Sequence, residues 1–375
     1  MRWLWRAVGL VALLAIAAAL ASGGSEADSV RQRYLPDANA LWTMAHFGSS
    51  RQVTVRSLGD PDLLRAQPEW LAAARPLGAG APRWARRMYI RSLLVLHALT
   101  YQRSGAVLAG AREGWAYVWP RDASTVAIAL AAAGYRGEAK RIVHFLHRLD
   151  LGAAARFHRN GTPVEGRAAQ GDATGWLAAA ARAAGLPSAA ERRPWRGLAD
   201  YQENGSGDLL ADAIASGAPQ IRELFETPAR MLSRRAGDPA SGLDSAAAWA
   251  VRPFPHPALY PPARRTLLRL AATSGRFGIV PSEGWDGGVD PWTAPTAWTA
   301  WSLAALGERS AALRLMGELR RAATPAGMLP ERVNARTGIP TSTTPLAWSH
   351  AFAILAIRQL WPQGETGSSN SLDRE

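Results

Sequence analysis

Glu331 is the lone carboxylate in the stretch from Gly327 to His350, GMLPERVNARTGIPTSTTPLAWSH. It sits in a loop punctuated by Pro and Gly. At Pro345 the segment PLAWSHAFAILAIRQLW begins, with apolar residues at helical spacing. A carboxylate on a loop that drops into a buried helix can face a cavity while the helix holds it still. That suits a general base aiming one water molecule. The plainer alternative pairs Glu331 with Arg332 or Arg336 on a solvated loop.

Four other stretches place polar and aromatic groups where a loop enters a helix. In GWAYVWPRDA, Trp119-Pro120-Arg121-Asp122 opens a helix, where an Asp is favoured by the dipole and the free N–H groups. Arg supplies a fork of donors, Asp accepts hydroxyls and Trp walls one side, so the set could grip adjacent sugar hydroxyls. Asp122 serving only as a first-turn charge is the bland alternative. In GRAAQGDATGW, Gln170 and Asp172 stand two residues apart before the next helix and would be ordinary as caps. Asp200-Tyr201-Gln202-Glu203-Asn204-Gly205 carries Glu203, and PSEGWDGGVDPWTAPTAW carries Glu283 and Asp290-Pro291-Trp292. Singly these signals are weak; their recurrence ahead of successive helices is stronger.

The elements that must position these residues read as nearly all α. Helices are expected near 38–48, 83–103, 122–133, 136–149, 172–185, 207–216, 243–250, 261–273, 293–306, 309–323 and 346–360, with one or two more between 187 and 235. Arg51 to Leu58 is the only fair strand. About a dozen paired helices with aromatic-rich loops between them imply helical hairpins in a ring. The expected organisation is a signal peptide over 1–21, a linker over 22–37, one catalytic domain over 38–362 and a polar tail over 363–375.

Composition narrows the function classes. The 375 residues hold 16 Trp against 7 Tyr and 7 Phe, and Trp faces both stack sugars and fill cores. With no Cys there is no disulfide, zinc-thiolate or cysteine nucleophile. The net charge of +13 would suit nucleic acid, but Lys140 is the only lysine and the arginines are dispersed, so no nucleic-acid partner is expected. No metal or cofactor is called for, and a monomer is expected. At the N-terminus MRWLWR precedes the apolar run AVGLVALLAIAAALA, and Ala19-Leu20-Ala21 before Ser22 fits a cleavage site. The run is short against the ~20 residues of a membrane span. Export is therefore the expectation, with an uncleaved membrane anchor as the alternative.

From about Tyr117 to Trp361 the chain resembles the glucoamylase-like glycoside hydrolases of family 15. The likeness rests on Trp119-Pro120-Arg121-Asp122, Gln170-x-Asp172, Asp200-x-x-Glu203, Asp290-Pro291-Trp292, and the Glu331, Ser342 and Trp348 spacing with its Pro-Leu-x-Trp-Ser run. The resemblance implies an all-α (α/α)6 barrel and exo-acting, inverting hydrolysis of an α-glucoside, which the altered outer subsites noted below make a short one. Glu203 would be the general acid, Glu331 the general base and Ser342 a hydrogen-bond partner of the base. Arg121 and Asp122 would hold the non-reducing-end sugar, and Trp119, Gln170, Asp172, Trp292 and Trp348 would line the first subsites.

The chain also departs from the family. Gln202-Glu203-Asn204 replaces the usual Trp-Glu-Glu, and the arginine expected before Asp-Pro-Trp falls near Ile279 or Val280. Residues 22 to 80 show no pattern for the β-sandwich domain that bacterial members often carry. A barrel that binds glycans without cleaving them remains a rival, as does another six-hairpin enzyme. A lyase would want a Tyr/His pair near the substrate, and the sequence alone shows none. A phosphorylase would need a basic phosphate pocket.

Overall fold

The computed structural model describes residues 41–43, 55–57, 69–111, 114–187 and 209–363. Ten α-helices order the described chain: α1 (Arg83–Leu99), α2 (Pro120–Ala132), α3 (Arg136–Leu146), α4 (Ala173–Ala184), α5 (Leu209–Ser216), α6 (Ile221–Phe225), α7 (Tyr260–Ala272), α8 (Thr293–Ala305), α9 (Arg309–Ala322) and α10 (Ala347–Leu360).

Two kinds of helix alternate, and their compositions explain why. In α3 the residues Ala139, Ile142, Val143, Phe145 and Leu146 are buried while Arg136, Glu138 and Lys140 are not. Helix α9 likewise buries Ala312, Leu315, Met316 and Leu319 on one face. These are amphipathic outer helices. By contrast α8 is buried from Thr293 through Leu303, and α2 is buried from Asp122 through Ala131. Ala, Thr, Ser and Trp surround them, so small side chains admit close neighbours on every side. Helix α10 is also inner, packing against α1, α2 and α8. An inner and an outer layer of helices result.

Several expected elements are corrected. Instead of a helix over 38–48, Leu41–Thr43 (β1) pairs antiparallel with Val55–Ser57 (β2), with Leu41 opposite Ser57. Trp42 and Thr43 suit a strand once a partner with Val55 is available. Helix α1 ends at Leu99 rather than near 103, because Thr100 turns extended and bridges Val107. The chain reverses at Gly105 (φ +82°), where a Cβ would lie 2.3 Å from the Arg141 carbonyl oxygen. The span expected as a helix at 243–250 is a 3-10 turn over Ser245–Ala250. Asp244 Oδ1 caps the Ala246 N–H at 2.6 Å, and Pro253 and Pro255 prevent continuation.

The loops ahead of the inner helices are stitched together. Phe157 bridges both Val118 and Pro163, Gly110 bridges Leu346, and Trp292 bridges both Ile279 and Arg332. The Glu331 N–H donates to the Thr343 carbonyl at 2.9 Å, and the Thr293 N–H donates to the Glu331 carbonyl at 3.0 Å. The N-terminal ends of α2, α8 and α10 thus share one end of the molecule under a single band of loops. Among the described residues no helix is long and apolar enough to cross a membrane. The sequence features at 1–21, 22–37 and 364–375 lie outside the described residues.

Candidate active site

The site residues are helix starts and the loop residues beside them. Trp119 is the N-cap of α2, Asp172 the N-cap of α4 and Trp292 the N-cap of α8. None of the three caps its own helix with a side-chain hydrogen bond.

Glu331 is half-buried rather than solvated, and its carboxylate meets two donors. Trp115 Nε1 donates to Oε1 at 3.2 Å, and Ser342 Oγ donates to Oε2. No ion pair joins Glu331 to Arg332 or Arg336 among the described residues. The backbone is held as firmly. The Pro330 carbonyl accepts from Thr293 Oγ1, which shares a 2.7 Å hydrogen bond with Ser349 Oγ. A carboxylate with two donors and an immobile backbone can aim a water molecule.

The second cluster centres on Arg121. Its Nε lies 3.4 Å from Asp122 Oδ2, its Nη1 lies 3.6 Å from Asp172 Oδ2, and its guanidinium carbon stands 4.2 Å over the Trp348 ring. Asp172 is fully buried and Asp122 nearly so. Trp348 is fixed in turn: its Nε1 donates to Thr125 Oγ1 at 3.1 Å, and its ring packs on Trp298 at 4.8 Å and Phe352 at 5.7 Å. Gln170 is buried one turn before α4, with its carbonyl accepting from the Ala173 N–H. This rigid array of donors and acceptors on an aromatic floor suits recognition of vicinal hydroxyls.

Trp292 belongs to a third group. It meets Trp285 edge-on at 5.7 Å, with the Arg332 guanidinium 5.9 Å over its ring. Arg234, itself buried, lies 4.5 Å over Trp285 and 3.7 Å from Asp286. Arg234 and Arg332 thus stand over these tryptophans from elsewhere in the chain, while Ile279 itself is buried and apolar. Trp292 joins the Glu331 cluster through the adjacent Thr293 backbone.

Glu203 lies outside the described residues, in the chain segment ahead of α5. Glu283, the glutamate of the loop ahead of α8, pairs with Arg269 Nε at 3.2 Å on the surface. Sequence reasoning missed Trp115, although Trp115, Tyr117 and Trp119 alternate just ahead of α2. It also missed Arg156, whose guanidinium carbon lies 4.9 Å over Tyr117 and 5.6 Å over Trp119. A Tyr/His pair, absent by sequence reading, does form: Tyr117 and His158 meet edge-on at 5.5 Å. Phe157 bridging Val118 places these neighbours side by side, which sequence separation concealed.

Residues 83–160 match the family described as glycosyl hydrolases family 15, a span that includes Trp115 and Trp119 to Asp122 but not Glu331. A glycosidase variant solved in complex with glucose is 20% identical, with a TM-score of 0.59, covering 74% of this chain and 97% of that one. The fold is that of the glucoamylases. A bacterial glucoamylase complexed with acarbose aligns at 16% identity and TM-score 0.57, covering 81% of this chain and 60% of that one. The glucoamylase of Saccharomycopsis fibuligera aligns at 14% identity and TM-score 0.54 over 85% of this chain and 98% of that one. The glucoamylase-like architecture is an all-α (α/α)6 barrel, in keeping with the inner and outer helices described. The family match over residues 83–160 supports a glycoside hydrolase, and the solved structures show the same fold. No curated protein matched.

Proposed function

We propose that the protein is an exo-acting, inverting hydrolase of α-glucosidic bonds, taking short α-glucosides from the non-reducing end. Glu331 is the general base and Glu203 the general acid. The observation that carries this reading is the Glu331 carboxylate, held half-buried by Trp115 and Ser342 in the loop band that also carries the Arg121 array. Inverting hydrolysis needs the two carboxyl groups roughly 6.5–9.5 Å apart, leaving room for the attacking water. Arg121 and Asp122 hold the non-reducing-end sugar, which makes cleavage exo, and Asp172 lines the adjoining subsite.

The test is to supply maltose, isomaltose, trehalose and starch to the purified protein and follow the product anomer by NMR. β-Glucose from the attacked unit supports the reading and α-glucose from that unit refutes inversion, while the leaving glucose of trehalose is α in either case. Glu203→Gln and Glu331→Gln should each lower turnover at least about a hundredfold. A substrate with a good leaving group should partly rescue the first variant and help the second little. Export accompanies the proposal: Met1–Ala21 is removed and Ser22 becomes the N-terminus, which N-terminal sequencing of the recovered protein checks.

A second reading is favoured by one observation, the Tyr117–His158 contact with Arg156 stacked alongside. A lyase acting on an acidic glycan would use such a pair to abstract a proton, with the guanidinium neutralising the carboxylate. An unsaturated product from a uronate polymer, with no reducing glucose from α-glucosides, would decide for it.

A further inference from the structure

We propose that His350 is a positioning residue for Glu331: from inside the barrel it holds the backbone two residues ahead of the carboxylate and so fixes where the carboxylate points. The inference rests on the reading of Glu331 as the base.

Helix α10 is apolar wherever it is buried, except in its first turn, where Ser349 and His350 stand fully buried. A polar ring in that setting costs stability unless both nitrogens are bonded. Both are. The Leu329 N–H donates to His350 Nε2 at 2.9 Å, and His350 Nδ1 lies 2.9 Å from Ser92 Oγ on α1. Because Nε2 accepts, the neutral ring carries its proton on Nδ1 and donates to Ser92. Burial holds the imidazole pKa down to about 3, with the Arg91 charge acting in the same direction, so this tautomer persists through the physiological range.

Leu329 and Pro330 are buried, so the Leu329 N–H has no access to water. Without an acceptor at position 350 that N–H would be an unpaired buried donor, and the segment would shift to find a partner. The movement would pass directly to Glu331. Leu329, Pro330 and Glu331 are gripped in succession: by His350 and Leu346 at Leu329, by Thr293 at Pro330, and by Thr343 and Thr293 at Glu331. Three helices, α1, α8 and α10, supply the side chains of this clamp. An apolar residue at 350 would pack as well but could not define the position of the loop. That contrast separates positioning from mere filling.

The test compares His350→Leu, His350→Gln and Ser92→Ala with Glu331→Gln, using the α-glucoside that the wild-type protein hydrolyses. His350→Leu should lower kcat about 10- to 100-fold, because a displaced catalytic group loses rate more than binding. KM should stay within about threefold, the signature of an interaction exerted in the transition state. The Gln variant can accept from the Leu329 N–H and should recover most of the rate. Amide exchange of the 327–333 segment, measured without substrate, should quicken in the Leu variant and return in the Gln variant. A folded His350→Leu protein with wild-type kcat, or with unchanged exchange in that segment, overturns the proposal. If the Leu variant does not fold, an unchanged kcat in Ser92→Ala overturns it. An active Glu331→Gln protein sinks the assignment of the base itself. An inactive one beside an active His350→Leu sinks only the inference about His350. Should the wild-type protein hydrolyse nothing, the exchange measurement alone decides whether His350 holds the loop.

Discussion

Trp115 and Glu331 stand 216 positions apart in the chain, yet Trp115 Nε1 donates to Glu331 Oε1 at 3.2 Å. The loop leading into α2 thereby supplies a donor to the carboxylate of the loop leading into α10. Trp115→Phe keeps the ring and removes the donor. It should lower kcat by roughly tenfold, the equivalent of one hydrogen bond to a charged group at ~1.5 kcal/mol, with a smaller change in KM. Steady-state kinetics on the hydrolysed α-glucoside check this, and an unchanged kcat would show the bond to be incidental.

Arg121 touches two carboxylates and the Trp348 face at once. Lysine keeps the charge but has neither the fork nor the stacking plane. Arg121→Lys should therefore raise KM at least about tenfold while a folded protein remains, since sugar-positioning contacts act in the ground state as well. Titration with a glucose-type inhibitor would read the same loss as weaker binding.

Acid should unfold the protein partly through His350. Its folded pKa of about 3 lies below the ordinary value of 6.5, so the unfolded chain takes up the proton first. The stability this ring contributes is present above pH 6.5 and declines as the pH falls toward 3. The slope from this one group is about 1.4 kcal/mol per pH unit once the unfolded ring is protonated. Glu318, pushed up by burial on α9, opposes this trend, because it too prefers to be neutral in the folded protein. Urea unfolding at pH 7 and pH 5 should show the loss, and His350→Gln should show less of it. Equal pH dependence in the two proteins would contradict the assignment.

Gly175 lets α4 lie against α5. A Cβ there would stand 1.8 Å from the Ala215 carbonyl oxygen, which is backbone and cannot swing aside. Gly175→Ala should destabilise the fold by about 1–3 kcal/mol through overpacking. Thermal unfolding should register this as a lower midpoint. Because α5 follows the segment containing Glu203, turnover should fall as well, in proportion exceeding any loss of folded protein. A neutral substitution would mean that the helices can part without cost.

Much of the architecture was legible because helical periodicity is local. The alternation of uncharged segments such as α8 with one-faced segments such as α9 marks inner and outer layers without knowledge of any contact. The recurrence of Trp119, Asp172 and Trp292 just ahead of helices pointed to one functional end, since inner helices that run alike bring their N-terminal ends together. Tertiary structure alone decided what those residues touch. Nothing near Trp115 in the chain foretells Glu331, and nothing near Leu329 foretells His350, whose ring reaches back from α10 while Ser92 meets it from α1. The strand at Leu41–Thr43 misled for the same reason: it is defined by its pairing with Val55–Ser57, which its neighbours in the chain do not reveal. Local periodicity is written in neighbouring residues, whereas a hydrogen bond across the barrel depends on the summed packing of every helix between its ends.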